Sequence, residues 1–446
     1  MLKIDTCSDQ AIETQSSRND VLIGSNSGGW SLVHFGDAVD FHKGLTYKSE
    51  DYCEKGKGII FFNLRCVGKN GGFNSDGVKY YNGLTQNNDF IVPGDIVIAN
   101  TDLTRDGDII GCPVEIPEYY KDEAVCISMD LTKIVPNKKL DKKFCYYFLQ
   151  LPYCRKFMRS HSSGSTVLHL NLNSVKKLLL PLPPLYEQRK IAAILSSVDA
   201  AIEQTDAIIA QTERMKKGLM QELLTKGIKH TVFKKTSIGR IPEKWDVIYL
   251  GNNNYFDLVA GGTPSTKNKR YWENGDILWL LSGEIHKKRI YDTQKKISKL
   301  GYENSNATLL PKQSVLIALA GQGKTRGTTA ITEIELTTNQ SVAAIISNFN
   351  YLNSYYVYYV LDSMYEELRS KSSGSGRAGL SLTILREIGL PLPSLSEQNQ
   401  IASTLLSVDD KLIIEKNRRI QLGRLKKSLM QDLLTGRVRV KVDDHV

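Results

Sequence analysis

Apolar positions along the chain fall into two rhythms. After each of two proline-rich stretches, PLPPL (181–185) and PLPSL (391–395), they recur at steps of three and four, the spacing that keeps one face of an α-helix apolar. The first stripe carries Ile191, Ile194, Leu195, Val198, Ile202, Ile208, Ile209, Met215, Leu219 and Leu223. The second carries Ile401, Leu405, Val408, Leu412, Ile420, Leu422, Leu425, Leu429 and Leu433. Stripes so long and narrow call for another helix, as in a coiled coil, and the simplest partner for each is the other copy, packed antiparallel. Elsewhere short β-like runs dominate, among them GKGIIFFNLRC, FIVPGDIVIA, GDILWLLSGEI and KQSVLIALA, set among Gly, Asn, Thr and Tyr. Helical patches such as KKFCYYFLQLPYCRKFMRS and NSYYVYYVLDSMYEELRS close each block. The pattern predicts α+β blocks with a strongly twisted or barrel-like sheet.

The chain also states itself twice. PLPPLYEQRKIAAILSSVD (181–199) returns as PLPSLSEQNQIASTLLSVD (391–409), and RMKKGLMQELLT (214–225) as RLKKSLMQDLLT (424–435), both 210 residues later and without a gap. Upstream, SSGS at 162–165 returns at 372–375, and Leu170 pairs with Leu380. Trp30 stands six residues before Gly36, as Trp245 does before Gly251. Between these landmarks the halves diverge. A period of 210 residues is too long for a solenoid. It describes a duplicated domain-plus-helix unit: lead-in 1–28, first block 29–186, helix 187–229, second block 230–395, helix and tail 396–446. Glu187 to Thr225 as one helix, at ~1.5 Å per residue, spans on the order of 60 Å, more than one ~34 Å turn of B-DNA. Such a helix could act as a ruler between two half-sites.

Composition narrows the class. The 446 residues are 41% hydrophobic and 24% charged, an ordinary globular balance. The longest apolar runs are near the six residues of VLIALA, far short of the ~20 that cross a bilayer. The start, MLKIDTCSDQ, has no basic region followed by an apolar one, so a cytoplasmic protein without membrane association is expected. The net charge of +10 and pI near 9.0 favour phosphate-bearing partners. All seven cysteines precede residue 155 and none forms a CxxC pair, which predicts reduced thiols rather than zinc or disulfides.

Candidate nucleic-acid contacts combine cations, small hydroxyls and aromatics. TPSTKNKRYW offers Lys267, Lys269, Arg270 and Tyr271; lysine and arginine neutralise phosphates, and arginine can read base edges. The two SSGS turns bring Ser165, Thr166 and His169 in one half, and Ser375 and Arg377 in the other, groups suited to phosphate oxygens. Lys43, Thr46, Tyr47 and Ser282 complete the candidate surface. ALAGQGKTRG (318–327) resembles the end of a phosphate-binding loop, but Ala318 stands where the first glycine belongs. It is followed by RGTTAITEIELTTNQSV, rich in β-branched residues and without the helix that such a loop must feed. The matching stretch in the first block, VIANTDLTRDGDIIG, keeps Thr104-Arg105 opposite Thr325-Arg326. A strand-end turn presenting Lys324, Thr325 and Arg326 to DNA is therefore expected, and an ATPase is disfavoured. No amino-methyltransferase tetrapeptide, no GxGxxG following a strand, and no nuclease triad, HExxH or deaminase signature occurs, so a chain without catalysis of its own is expected.

Taken together, PLPPLYEQ with PLPSLSEQ, LMQELLT with LMQDLLT, IPEKW (241–245), and GGTPSTKNKRYW with SGEI (261–285) resemble the specificity subunits of type I restriction–modification systems over essentially the whole chain. The resemblance implies an α+β fold in which two target-recognition domains are separated by two long antiparallel coiled-coil helices, an internal pseudo-twofold repeat. Each domain would read one half of a split double-stranded DNA site. The helices, with coiled-coil positions Ile191, Leu195, Val198, Ile202, Leu219 and Leu223 and Ile401, Leu405, Val408, Leu412, Leu429 and Leu433, would separate the domains and dock two methyltransferase subunits. S-adenosylmethionine, and ATP with magnesium on a restriction/motor subunit, would belong to those partners, with no cofactor or metal on this chain. The alternative is a coiled-coil scaffold whose blocks bind protein or RNA.

Overall fold

The computed structural model describes residues 29–69, 71–86, 89–104, 106–321, 323–371 and 379–440; the lead-in 1–28 lies outside the described residues. The chain divides into two compact units, one running to Gln204 and resuming at Arg418, the other Thr205–Asn417.

In the first unit, apolar runs form β1 (Val39–Lys43), β2 (Ile96–Ala99), β3 (Pro113–Glu115) and β4 (Leu131–Pro136), an antiparallel sheet in the order β1-β4-β2-β3. Every residue of β2, IVIA, is buried, as expected of a central strand. Helix α1 (Lys142–Leu149) and helix α2 (Pro152–Ser160) follow, then the long helix α3 (Leu185–Lys226). A second, mixed sheet places Ile59–Phe62 parallel to Val125–Ile127.

The second unit repeats the arrangement with unlike residues. Its strands β5 (Phe256–Ala260), β6 (Val315–Ala318), β7 (Thr329–Thr332) and β8 (Val342–Ser347) take the same order, β5-β8-β6-β7, with Arg289–Ile290 added parallel to β7. Helices α4 (Ser354–Ser363), α5 (Tyr365–Ser370) and the long α6 (Leu395–Leu433) correspond to α1, α2 and α3.

The repeated residues are the ones that tie each helix to its unit. The prolines lie in strands that pair with the strand after each tryptophan, Leu179–Leu182 with Ser31–His34 and Gly389–Leu392 with Asp246–Tyr249. The indole N–H of Trp30 donates to Glu187 at 3.0 Å, and that of Trp245 to Glu397 at 3.0 Å. Arg439 closes on Glu187 at 2.7 Å; His230 does so on Glu397 at 2.9 Å. Gln188 and Gln398, fully buried, each accept the backbone N–H of a helix-capping residue, Asp141 at 2.8 Å and Asn353 at 2.9 Å. Each amide also donates to the proline carbonyl five residues back, so the buried polar groups are paired. Gly36 and Gly251 stay glycine because a Cβ would come within 2.7 Å of Lys176 and 2.9 Å of Arg386.

Within the first unit the start of α3 packs beside the end of α6; within the second, the end of α3 packs beside the start of α6. Lys426 meets Asp199 at 2.7 Å, and Lys216 meets Asp409 at 2.6 Å. Both aspartates and both lysines are 210 residues apart (409 − 199 and 426 − 216), so one ion pair is made twice. Each aspartate also accepts a tyrosine hydroxyl, Tyr147 at 2.9 Å and Tyr359 at 2.6 Å. Ile191, Leu195, Ile401 and Leu405 are buried within the unit cores, as are Val198, Val408, Leu412 and Leu433, while Ile202, Leu219, Leu223 and Leu429 are half-buried. Met215, Ile420 and Leu425 are exposed, because a straight 3.6-residue helix rotates such positions away from the seam.

Candidate nucleic-acid interface

In each unit one loop joins a central strand of the sheet to its antiparallel neighbour, an edge strand in the first unit. The β2–β3 loop carries Thr104, and the β6–β7 loop carries Lys324, Thr325 and Arg326. The second is a hairpin connection: Ile317 pairs with Thr329 and Val315 with Ile331 across an antiparallel ladder. Gly323-Lys324-Thr325 therefore leads into a strand, with no helix N-terminus behind it to hold phosphates. Lys324 is exposed. It lines a recess of about 580 Å³ with Thr325, Gly283, His286, Lys288, Thr328, Asp362 and Tyr365. Lys288 is engaged by Asp362 at 2.6 Å. Ser282 opens the helical turn Ser282–Lys287, of which Gly283 and His286 line the recess.

In the first unit the β2–β3 loop lies beside the SSGS turn. Thr101–Asp102 pairs with Leu168–Leu170, which pairs with Ser162–Ser163. Thr101 pairs directly with His169, and Ser165, Thr166 and His169 are all exposed. The loop turns around Asp102, fully buried, which accepts the backbone N–H groups of Thr104 (2.6 Å), Ile109 (2.6 Å) and Ile110 (2.8 Å). Burial alone would raise its pKa, but the bonds from Thr104 and from the Ile109 and Ile110 amides outweigh it and hold the carboxyl below the usual range. A depressed folded-state pKa contributes stability above the ordinary carboxyl value of ~3.9 and loses it as pH falls through the folded value. Protection of the Ile109 and Ile110 amides against hydrogen exchange should thus persist to below about pH 4. Asp102→Asn should weaken it at neutral pH. Equal protection in both proteins would remove Asp102 as the loop's anchor.

The remaining candidates occupy other places. Lys43 and Thr46 are exposed at the end of β1. The Tyr47 ring packs on Phe61 (5.0 Å) and Tyr52 (5.5 Å), so its face serves the core. In the 263–272 loop, Lys267, Lys269 and Arg270 are exposed and Tyr271 is half-buried. The loop is fastened from behind: Ser298 donates to the carbonyls of Tyr271 (2.9 Å) and Arg270 (2.8 Å), and Trp272 packs edge-on against Trp279 at 4.9 Å. Its aromatics hold the loop and leave the cations outside. Arg105, Ser375 and Arg377 lie outside the described residues. Burial pushes the Cys66 thiol up to about 11 and that of Cys126 up to about 12, keeping both protonated and unreactive. Asp102, the Asp–Lys pairs and the tryptophan–glutamate anchors went unmarked in the sequence reading. The last two carried a signal there, since each recurs in the second half.

The geometry agrees with what the chain resembles. The model of the type I restriction–modification DNA specificity domain matches twice, over residues 27–214 and 242–424. The chain belongs to this family. A putative type I restriction enzyme MjaX specificity subunit from Methanocaldococcus jannaschii is 31% identical over 324 residues, covering 72% of this chain and 74% of that one. The EcoBI specificity subunit of Escherichia coli is 26% identical over 392 residues, 83% of this chain and 77% of its own. The crystal structure of a type I system S subunit from M. genitalium superposes with a TM-score of 0.62 at 17% identity, covering 91% of this chain and 96% of that one, which shows the shared fold. Both matched domains include one β-sheet unit and most of the long helix that follows it, so family and fold divide the chain at the same repeat. Among the described residues no helix is long and apolar enough to cross a membrane.

Proposed function

We propose that the chain is the non-catalytic DNA-reading subunit of a cytoplasmic type I restriction–modification assembly, each unit recognising one half of a bipartite, asymmetric site. The observation that carries this reading is the contrast between what repeats and what does not. Strand order, anchors and ion pairs recur, while the loops that leave the corresponding central strands, TDLTRDGDIIGC and AGQGKTRG, share little beyond a Thr-Arg pair and glycines. Two copies of one scaffold with unlike loops suit two unlike half-sites. Cations near phosphates would supply affinity, and loop side chains at base edges would supply selectivity. Each long helix passes without a break from one unit into the other, so its length enters the distance between the half-sites. The outer faces of these helices would receive two methyltransferase subunits. Those partners would bring S-adenosylmethionine, and a restriction/motor subunit would bring ATP and magnesium.

The test is the methylation map of the host genome with and without the gene. Loss of one motif made of two short half-sites around a fixed gap is expected. Loss of a continuous motif would overturn the division of labour between the units, and an unchanged map in a host with active partner subunits would overturn the DNA-reading role.

A further inference from the structure

The two central loops differ in sequence, yet both are gripped by an arginine from the same place in the repeat. Arg159, in α2, donates from Nε to the carbonyl of Gly107 at 3.1 Å. Arg369, in α5, donates from Nη1 to the carbonyl of Gly323 at 2.7 Å and lies 3.5 Å from that of Arg326. The two arginines are 210 residues apart (369 − 159), in MRSHSSGS and LRSKSSGS. Each also packs its stem against a glycine in the left-handed region: Gly107 (φ +65°) lies 3.5 Å from Arg159 Cγ, and Gly327 (φ +79°) 3.2 Å from Arg369 Cγ, measured from an added Cβ. A neighbouring side chain extends each grip. Arg155 donates to the carbonyls of Asp108, at 3.1 Å, and Ile110. The Tyr365 hydroxyl donates to the carbonyl of Lys324 at 3.0 Å, with the Arg369 guanidinium 5.4 Å from the Tyr365 ring centre.

From this geometry we infer that Arg159 and Arg369 are positioning residues for base selectivity, each fixing the backbone path of its unit's DNA-facing loop. The inference rests on the DNA-reading role proposed above. A guanidinium presents five donors in a rigid fork, and here it addresses main-chain carbonyls, which every residue possesses. The grip is therefore indifferent to the side chains of the loop. Those side chains can change from TDLTRDGDIIGC to AGQGKTRG while the backbone stays in register with the sheet. The carbonyls are engaged while the Lys324 side chain stays exposed. A loop fixed before DNA arrives loses less conformational freedom on binding and cannot adapt to a wrong base.

The experiment uses the full chain assembled with its modification subunits and compares wild type, R369Q, R159Q and Y365F. Probes are duplexes in which each half-site is altered one base at a time. R369Q should lower discrimination at one half-site by about tenfold, within the range that one well-placed base contact supplies, and leave the other intact. R159Q should do the reverse. Y365F, which removes the bond to the Lys324 carbonyl and the one that Arg369 donates to the hydroxyl (3.0 Å) but little volume, leaves the Arg369–Gly323 bond in place and should give a smaller loss at the same half-site as R369Q. In parallel, amide exchange at Gly323–Gly327 should quicken in R369Q while the melting temperature holds. Equal weakening at both half-sites would mark a general structural role and overturn the inference, as would unchanged discrimination in R369Q. A wild-type assembly indifferent to both half-sites would instead sink the DNA-reading role, and the exchange measurement would still report on the grip.

Discussion

Trp245→Ala should destabilise the second unit by about 3–5 kcal/mol, the range for deleting a fully buried aromatic side chain. Trp245 is 1% exposed and joins a cluster with Leu224, Leu250, Ile401 and Leu405. Its loss has a second component. Glu397 keeps His230 and the backbone N–H of Ile228 (2.8 Å) but loses the indole donor, and a partly buried carboxylate deprived of a partner costs about 1–3 kcal/mol. Trp245→Phe separates the two, since it restores most of the volume and none of the bond; a loss of about 1–2 kcal/mol is expected. Trp30 is only half-buried, so Trp30→Ala should cost the first unit less. Amide exchange resolved by unit measures both. A Trp245→Ala protein as stable as wild type, or one in which only the first unit loosens, would contradict the anchor.

These anchors show what a single sequence discloses. The repeat, both long helices and the glycine-lysine-threonine turn were legible, because each rests on neighbours in sequence: a 3.6-residue stripe, a fixed offset, and β-branched residues after Thr325. The Trp30 and Trp245 echo was visible as an echo. Its meaning was not, because the partner glutamate stands 157 residues from Trp30 and 152 from Trp245. The matching strand orders of the two blocks left no trace either. Strand pairing is set by backbone bonds and by burial of any apolar side chain of suitable size, so IVIA and VLIA can serve the same central position with different flanks. Tyr47 shows a further limit of reading by residue type: the packing of its ring on Phe61 and Tyr52 is a tertiary contact that no local spacing discloses. Arg159 and Arg369 were within reach of the offset argument, since the repeat around SSGS extends to the arginine three residues before it.

The second large effect concerns the spacing of the half-sites. Inserting one helical turn after Met215 in α3 alone should abolish recognition. The ion pair Lys216–Asp409 belongs to one end of the helix pair, and Asp199–Lys426 to the other; a turn added to one helix puts the ends out of step with its partner. In an antiparallel pair with this register, the residue beside Lys216 is Asp409. A second insertion after Asp409 therefore restores the match. Glu213–Lys416 (2.6 Å) stays on one side of the double insertion, and Lys216–Asp409 on the other. Four residues add about 6 Å of helix, close to two base pairs at about 3.4 Å each. The doubly extended chain, assembled with its modification subunits, should methylate a site with the original half-sites and a gap about two base pairs longer. Rotation opposes this in part, since four residues turn a helix by about 400°, roughly 40° beyond a full turn. Two base pairs turn the duplex by nearly twice that, on its 10–10.5 base-pair repeat. Activity on the longer gap should accordingly fall below that of wild type on its own site, while exceeding the activity of the doubly extended chain on the original gap. A double insertion that still prefers the original gap would show that the helices do not set the distance.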